Sequence, residues 1–156
     1  MTPKKIPSTT HIAIIGLLAA GSIYMGAFDL RDTLTILASK SVTTARVVDS
    51  QVVPTRFGMS YDVHYLLSPG PGLPEVGRCD FLGRTNLWSS LPEQEWRAAV
   101  ETKILQVRYD PNRPTINAPV ISPPKVADSI TPLAMGALFL FLVVGGLYVR
   151  LKNKTS

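Results

Sequence analysis

The feature that most constrains this chain is a long uncharged apolar run near its end. Residues 132–149 read PLAMGALFLFLVVGGLYV and contain no charged side chain. At about 1.5 Å per helical residue the run is about 27 Å long, close to the roughly 30 Å of a bilayer core. A buried core helix is the alternative, but it would need a large soluble core that this short chain does not offer. We therefore predict a transmembrane helix over residues 131–149, followed by a short basic tail, residues 150–156.

A second apolar stretch lies near the beginning of the chain. Residues 11–30 read HIAIIGLLAAGSIYMGAFDL and follow a polar tail, residues 1–10. The two interpretations are a retained transmembrane helix and a signal peptide, which also has a basic start and an apolar middle. The stretch is longer than a usual signal core, and no clean Ala-x-Ala site follows it. We therefore expect a retained helix.

The pattern beyond this stretch is also helical. Leu30, Leu34 and Leu37 recur at a spacing that places them on one helix face. This periodicity predicts either a continuation of the first span or a separate juxtamembrane helix over residues 31–40.

Small residues four positions apart are candidates for packing between the two spans. In the first span they are Gly16, Ala20, Ser22 and Gly26. Small side chains at this spacing let helices approach closely in lipid, although small residues are also common in spans that do not pair. The second span offers Ala134, Ala137 and Gly145 as partners.

The positive charge of the chain is concentrated next to the apolar runs. The net charge is +5, and lysines or arginines stand at Lys4, Lys5, Arg150, Lys152 and Lys154. This distribution is typical of the positive-inside rule and not of a nucleic-acid-binding patch. Two spans place both termini on one side. We therefore predict a membrane protein with cytoplasmic termini, an extracytoplasmic central domain and no nucleic-acid partner.

The segment between the spans alternates in the way β-strands do. We predict strands over residues 41–53, 60–67, 75–82, 103–110 and 115–120. A helix ending near Thr102 is expected to start at a capping box, Ser90 to Glu93. The fold class is thus α+β: two transmembrane helices flank a small antiparallel sheet, barrel- or sandwich-like, with one short helix. The β domain is expected over residues 41–120 and a proline-rich linker over residues 121–130.

The sharpest local motif is Tyr109-Asp110-Pro111, with Pro114 shortly after it. Asp110 and Pro111 stand at the first and second positions of a type I turn, where these residue types are preferred. The four residues are candidates either for a contact with a partner or for a purely structural turn.

These motifs together resemble a known family. A Tyr-x-Val-x-Tyr strand, at Tyr61, Val63 and Tyr65, precedes the Val-x-Tyr-Asp-Pro-x-x-Pro segment from Val107 to Pro114, and both lie between two spans. This arrangement resembles the bacterial membrane proteins of domain-of-unknown-function family 3592 (DUF3592). The resemblance implies architecture and location, and no activity.

Groups that could carry chemistry are few. Asp62 and His64 share a strand face but lack further ligands at metal-binding spacing. Cys79 is the only cysteine, which excludes an intramolecular disulfide, and no cysteine-enzyme signature surrounds it. We therefore expect no enzyme activity, no metal and no cofactor.

The resulting hypothesis is an accessory or scaffold subunit in the lipid bilayer whose external β domain binds another protein. The alternative hypothesis is a membrane-anchored sensory or ligand-binding module. A homo-oligomer is compatible with both.

Overall fold

Two compact units make up the chain in the computed structural model, which describes residues 9–80, 83–85 and 87–152. The helix pair comprises the chain up to Arg31 and from Val126 onward, and the β domain comprises Asp32–Lys125. In chain order the helices and strands are α1 (Thr9–Ala38), β1 (Val42–Thr55), β2 (Gly58–Leu67), β3 (Ser89–Leu91), α2 (Glu93–Thr102), β4 (Ile104–Asp110), β5 (Arg113–Pro119) and α3 (Val126–Lys152).

Both long helices are long and apolar enough to cross a membrane. α1 runs without a break from Thr9 to Ala38, so residues 31–40 form no separate juxtamembrane helix. α3 begins at Val126, inside the predicted linker and after Pro123 and Pro124. It continues through Pro132, which lies inside the helix and removes one backbone N–H from its hydrogen bonding. Asp128 in the first turn also favours this start, since an acidic side chain stabilises a helix N-terminus.

The five strands form one antiparallel sheet in the order β3-β2-β1-β4-β5, which curls nearly into a barrel. The sequence prediction of an α+β fold with a small antiparallel sheet and one short helix is confirmed at this level. β1 lies at the centre: Ala45 pairs with Leu67 of β2 on one side and with Leu105 of β4 on the other. A bulge at Val48 interrupts the β1–β2 register and bends the strand.

The core fills the inside of the curled sheet. The alternation expected for β2 is observed, because Val63, Tyr65 and Leu67 all point inward and are almost fully buried. α2 covers one side of the sheet through Ala99, with Trp96 packed against the same core.

Two predictions for the segment after β2 are wrong. Residues 75–80 form no strand, and Val76 makes only a single bridge to Leu67, while residues 81 and 82 lie outside the described residues. Instead of capping α2, Ser90 lies in β3, and the residue at the N-cap position is Pro92, with no side-chain hydrogen bond. The Ser90 hydroxyl donates to the carboxylate of Asp62 and makes no capping hydrogen bond to α2.

The same segment nonetheless links the two ends of the sheet. Val76 and Leu67 exchange two backbone hydrogen bonds of 2.9 Å, and the Cys79 N–H donates to the Thr115 carbonyl of β5 at 3.1 Å. The irregular segment from Val76 to Cys79, here called the strap, therefore takes the place of a sixth strand between β2 and β5.

Candidate functional site

The Tyr109–Pro114 motif forms the β4–β5 turn. One carboxylate oxygen of Asp110 accepts the Asn112 N–H at 3.0 Å, and the other lies 3.5 Å from Arg113 Nε. Arg113 also lies 3.6 Å from Asp32 at the end of α1. Asp110 is buried, so its carboxylate is committed to the turn and to the arginine.

The prolines and the tyrosine of the motif have similar local roles. The Tyr109 carbonyl accepts the Ser39 hydroxyl at 2.6 Å, and its N–H donates to Ser41 at 3.1 Å. The Pro114 carbonyl accepts the Asn117 amide at 2.8 Å, while Pro111 is exposed at the turn. These contacts favour the structural interpretation of the motif over a partner contact.

Asp62 is a buried carboxylate that holds the edge of the sheet together. The hydroxyls of Ser60 and Ser90 each donate to its Oδ1 at 2.7 Å, and the Gln51 amide reaches its Oδ2 at 3.4 Å. The Trp96 indole donates to the Asp62 carbonyl at 3.1 Å. The Asp62 side chain thus joins β1, β2 and β3, and its backbone carbonyl binds α2; both roles are structural.

Neither His64 nor Cys79 is set up for catalysis. Among the described residues, His64 Nε2 has no hydrogen-bond partner, and the ring lies 6.1 Å from the Trp88 ring. Burial, and then the charge of Asp80, raise the pKa of the Cys79 thiol, which disfavours the nucleophilic thiolate. No group of three or more His, Cys, Asp or Glu that could hold a metal ion is found in the described part of the chain.

A buried polar contact crosses the inside of the curled sheet from β2 to β5. The Tyr65 hydroxyl donates to Asn117 Oδ1 at 2.9 Å, and the Asn117 amide donates to the carbonyls of Pro114, at 2.8 Å, and Gly77, at 3.4 Å. Asn117 therefore connects β2, β5 and the strap. Sequence reasoning missed it, since nothing in the short pattern around Asn117 marks a buried amide.

This contact predicts a loss of stability at alkaline pH. Burial raises the pKa of Tyr65 to about 12. The nearby Ser89 hydroxyl and the charge of Arg78 have the opposite, smaller effect on this pKa. A pKa that is higher in the folded state means that stability is complete below pH 10 and falls as pH rises towards 12. We expect a loss on the order of 2–3 kcal/mol.

Urea unfolding of the full chain in detergent micelles between pH 9 and pH 12 measures this loss. The control is Tyr65→Phe, which should lack this part of the pH dependence. Equal pH slopes for the two proteins would show that Tyr65 does not titrate as expected.

The helix pair packs through two glycines. A Cβ atom added to Gly136 of α3 would lie 2.5 Å from Ile23 Cγ1 and 3.1 Å from the Ala19 carbonyl oxygen of α1. A Cβ atom on Gly26 would lie 2.7 Å from Leu133 Cγ. The helices therefore approach as closely as only glycine allows.

Polar contacts extend the antiparallel pairing to both ends of the helices. The Ser129 hydroxyl donates to the Asp29 carboxylate at 2.6 Å, and Arg150 donates to the Thr9 hydroxyl at 2.5 Å.

The residues predicted for packing divide between the contact and the outer surface. Gly26 is buried in the contact, Gly16 and Ser22 are half-buried, and Ala20 is exposed. On α3 the expected partners are all exposed, namely Ala134, Ala137 and Gly145. Gly136 takes their place because the register of two helices depends on how their whole surfaces fit, which local spacing does not determine.

An exposed apolar surface stands out at the far end of the β1–β2 hairpin. β4 pairs with β1 only over Val42–Arg46, so the part of the hairpin from residue 48 to residue 60, here called the hairpin arm, extends beyond it. Phe57 at the turn is 94% exposed and Met59 is 61% exposed. Val52 and Val53 are also exposed, and as consecutive strand residues they project from opposite faces. From the sequence alone, residues 54–58 are predicted only as a turn between the first two strands.

The backbone edge of this arm is less accessible than its side chains. The Asp49 carboxylate accepts the Ser50 N–H at 2.8 Å, and Pro54 has no N–H to offer. Pairing with a further strand is therefore disfavoured along the arm, and a partner would bind the side chains of the arm.

A second apolar surface is a groove between α2 and β4. It has a volume of about 330 Å³ and is lined by Glu95, Ala98, Ala99, Thr102, Ile104, Leu105, Gln106, Val120 and Ile121. Glu95 is the only charged residue in this lining. We refer to it as the α2–β4 groove.

Comparisons of the chain with protein-family profiles, with curated proteins and with solved structures found no match.

Proposed function

We propose that this chain is a two-span bacterial inner-membrane protein, without enzyme activity, whose extracytoplasmic β domain binds another protein as an accessory or scaffold subunit. The observation that carries the proposal is the apolar end of the hairpin arm. Phe57 and Met59 are exposed at the end of the hairpin, and Val52 and Val53 are exposed on its two faces. Exposed apolar side chains that lie close together commonly mark interaction sites. Large aromatic side chains such as Phe57 contribute strongly to such interfaces.

The membrane location is supported by the two long helices, because most of their apolar side chains are exposed and not covered by the rest of the chain. The basic residues beside both runs favour cytoplasmic termini, which would place the β domain outside the cytoplasm. A role in binding is supported by the polar side chains of the described β domain: Asp62, Asp110 and Asn117 are all engaged in hydrogen bonds within the fold.

We expect Phe57→Ser to abolish partner binding without destabilising the fold. The side chain contacts little in its own chain, so the free energy of unfolding should change by less than about 0.5 kcal/mol. Removing an interface aromatic is expected to weaken binding about tenfold or more. The measurement is photocrosslinking in native membranes from a photoreactive residue at Thr55, with adducts identified by mass spectrometry.

The matched control is Leu73→Ser, since Leu73 is also an exposed apolar residue of the β domain but lies outside the arm. Its adducts should match those of the unmodified chain. An adduct pattern that Phe57→Ser leaves intact, or the absence of any protein adduct, would count against the proposal.

The α2–β4 groove favours a second function, that of a ligand-binding module. Its volume of about 330 Å³ and its apolar lining fall at the small end of the range for small-molecule sites. A thermal-shift screen of the full chain tests this candidate, because a ligand bound in the groove would raise the unfolding temperature. The replacement Ala98→Trp, which fills the groove, should remove that shift.

A further inference from the structure

We propose that the hairpin arm of one copy binds the α2–β4 groove of a second copy of this chain, with Phe57 in the groove and Arg56 facing Glu95. This inference rests on the proposed function, since it names the protein that the arm binds.

The arm cannot reach the groove of its own chain. Arg46 of β1 pairs with Ile104, which lines the groove. From Arg46 the strand continues away for nine further residues to Thr55, a distance of about 30 Å at about 3.3 Å per residue. The hairpin pairing holds the arm extended. A contact between these two surfaces is therefore intermolecular.

The charges on the two surfaces are complementary. Arg56 is the only charged residue of the arm beyond Asp49, and its guanidinium carbon lies 5.9 Å from the centre of the Phe57 ring. Within the described residues, neither Arg56 nor Glu95 forms an ion pair, whereas Arg46, Arg84, Arg97 and Arg113 all do. The cation of the arm and the anion of the groove thus each stand beside an apolar surface.

The groove also suits the side chain that the arm offers. Ala98 leaves space between α2 and β4, and Ile104, Val120 and Ile121 supply apolar walls. Burial of an exposed phenylalanine removes an apolar area on the order of 150–250 Å² from water. A contact of this size is weak by itself, but two copies anchored in one membrane meet at a high effective concentration.

The arm and the groove are different surfaces, so one contact leaves a free arm on one copy and a free groove on the other. If these two surfaces bind each other, the assembly closes as a symmetric dimer; if each binds a further copy, it forms a ring or a row.

The test uses the full chain in membranes, with Cys79→Ser as background because Cys79 is the only cysteine. One tagged copy carries Met59→Cys, which keeps Phe57, and a second, differently tagged copy carries Ala98→Cys. An added oxidant should join the two thiols in a disulfide and so link the two tags. A copy with Leu73→Cys replaces the Met59→Cys copy as the control and should give only background crosslinking.

Charge exchange makes the test specific. Arg56→Glu on the copy carrying Met59→Cys should lower the crosslinking yield about fivefold, because it places a second anion against Glu95. Adding Glu95→Arg to the copy carrying Ala98→Cys should restore the yield. Circular dichroism of each variant shows whether it is folded, and the restored pair confirms it.

Two results would overturn the inference. The first is a yield for Met59→Cys with Ala98→Cys no higher than that of the Leu73→Cys control. The second is a yield that charge exchange does not restore. The photoreactive residue at Thr55 then separates the two proposals: adducts with a different protein would leave the proposed function standing, and the absence of all protein adducts would end both.

Discussion

Replacing Gly136 with alanine is expected to weaken the association of α1 and α3 by about 1–3 kcal/mol, the usual cost of overpacking a close contact. The added Cβ atom would meet Ile23 Cγ1 at 2.5 Å, the Ile23 backbone nitrogen at 3.0 Å and the Ala19 carbonyl oxygen at 3.1 Å. Rotation of the Ile23 side chain can relieve the first contact. The other two involve backbone atoms, so the helices must move apart.

The midpoint of helix separation in an SDS titration measures this effect. Dyes at His11→Cys and Lys152→Cys in the Cys79→Ser background report the distance between the helix ends by energy transfer. Gly145→Ala on the same helix is the matched control, since nothing lies within 4 Å of a Cβ atom there. It should leave the midpoint unchanged or raise it slightly, because alanine favours the helix over glycine. Equal midpoints for the two variants would mean that Gly136 does not govern the contact.

Asn117→Ala is expected to destabilise the β domain by about 2–5 kcal/mol. The change leaves the Tyr65 hydroxyl and the carbonyls of Pro114 and Gly77 without their present partner inside the sheet. Each buried polar group that loses its hydrogen bond costs about 1–3 kcal/mol, reduced where water can enter. The measurement is urea unfolding of the full chain in micelles, followed by tryptophan fluorescence.

Two further variants make this prediction specific. Asn112→Ala is the control, because Asn112 is exposed and contributes its backbone N–H, which alanine keeps. Tyr65→Phe should cost less than Asn117→Ala, since it leaves only one atom of Asn117 without a partner. The double variant should cost less than the sum of the two, because both changes remove the same bond. Strict additivity would contradict a shared network.

The elements that alternation and length determine could be predicted from the sequence. β2 places Val63, Tyr65 and Leu67 inward because a strand has a period of two, and both apolar helices follow from length alone. The strap and β3 could not be predicted in this way. Val76 makes one bridge, and β3 has only three residues, so tertiary contacts with Leu67 and Asp62 determine their conformation.

The candidate sites show a similar division. The turn at Asp110 and Pro111 follows from local side-chain chemistry, because the Asp110 carboxylate accepts the Asn112 N–H within the motif itself. The hairpin arm and the α2–β4 groove depend on where β4 stops pairing with β1 and on how α2 packs. Neither is encoded in a contiguous pattern, and Arg56 and Glu95 are ordinary surface charges until both surfaces are known.

The capped Ser50 N–H and the proline at position 54 also limit how copies of the hairpin arm can stack on one another. A hairpin that displays valine, phenylalanine and methionine would ordinarily be a template on which identical chains stack into fibrils. Here the Ser50 N–H is capped by Asp49, and Pro54, four residues further along the strand, has no N–H. Fibril growth through backbone hydrogen bonds is therefore disfavoured at these two positions of the arm.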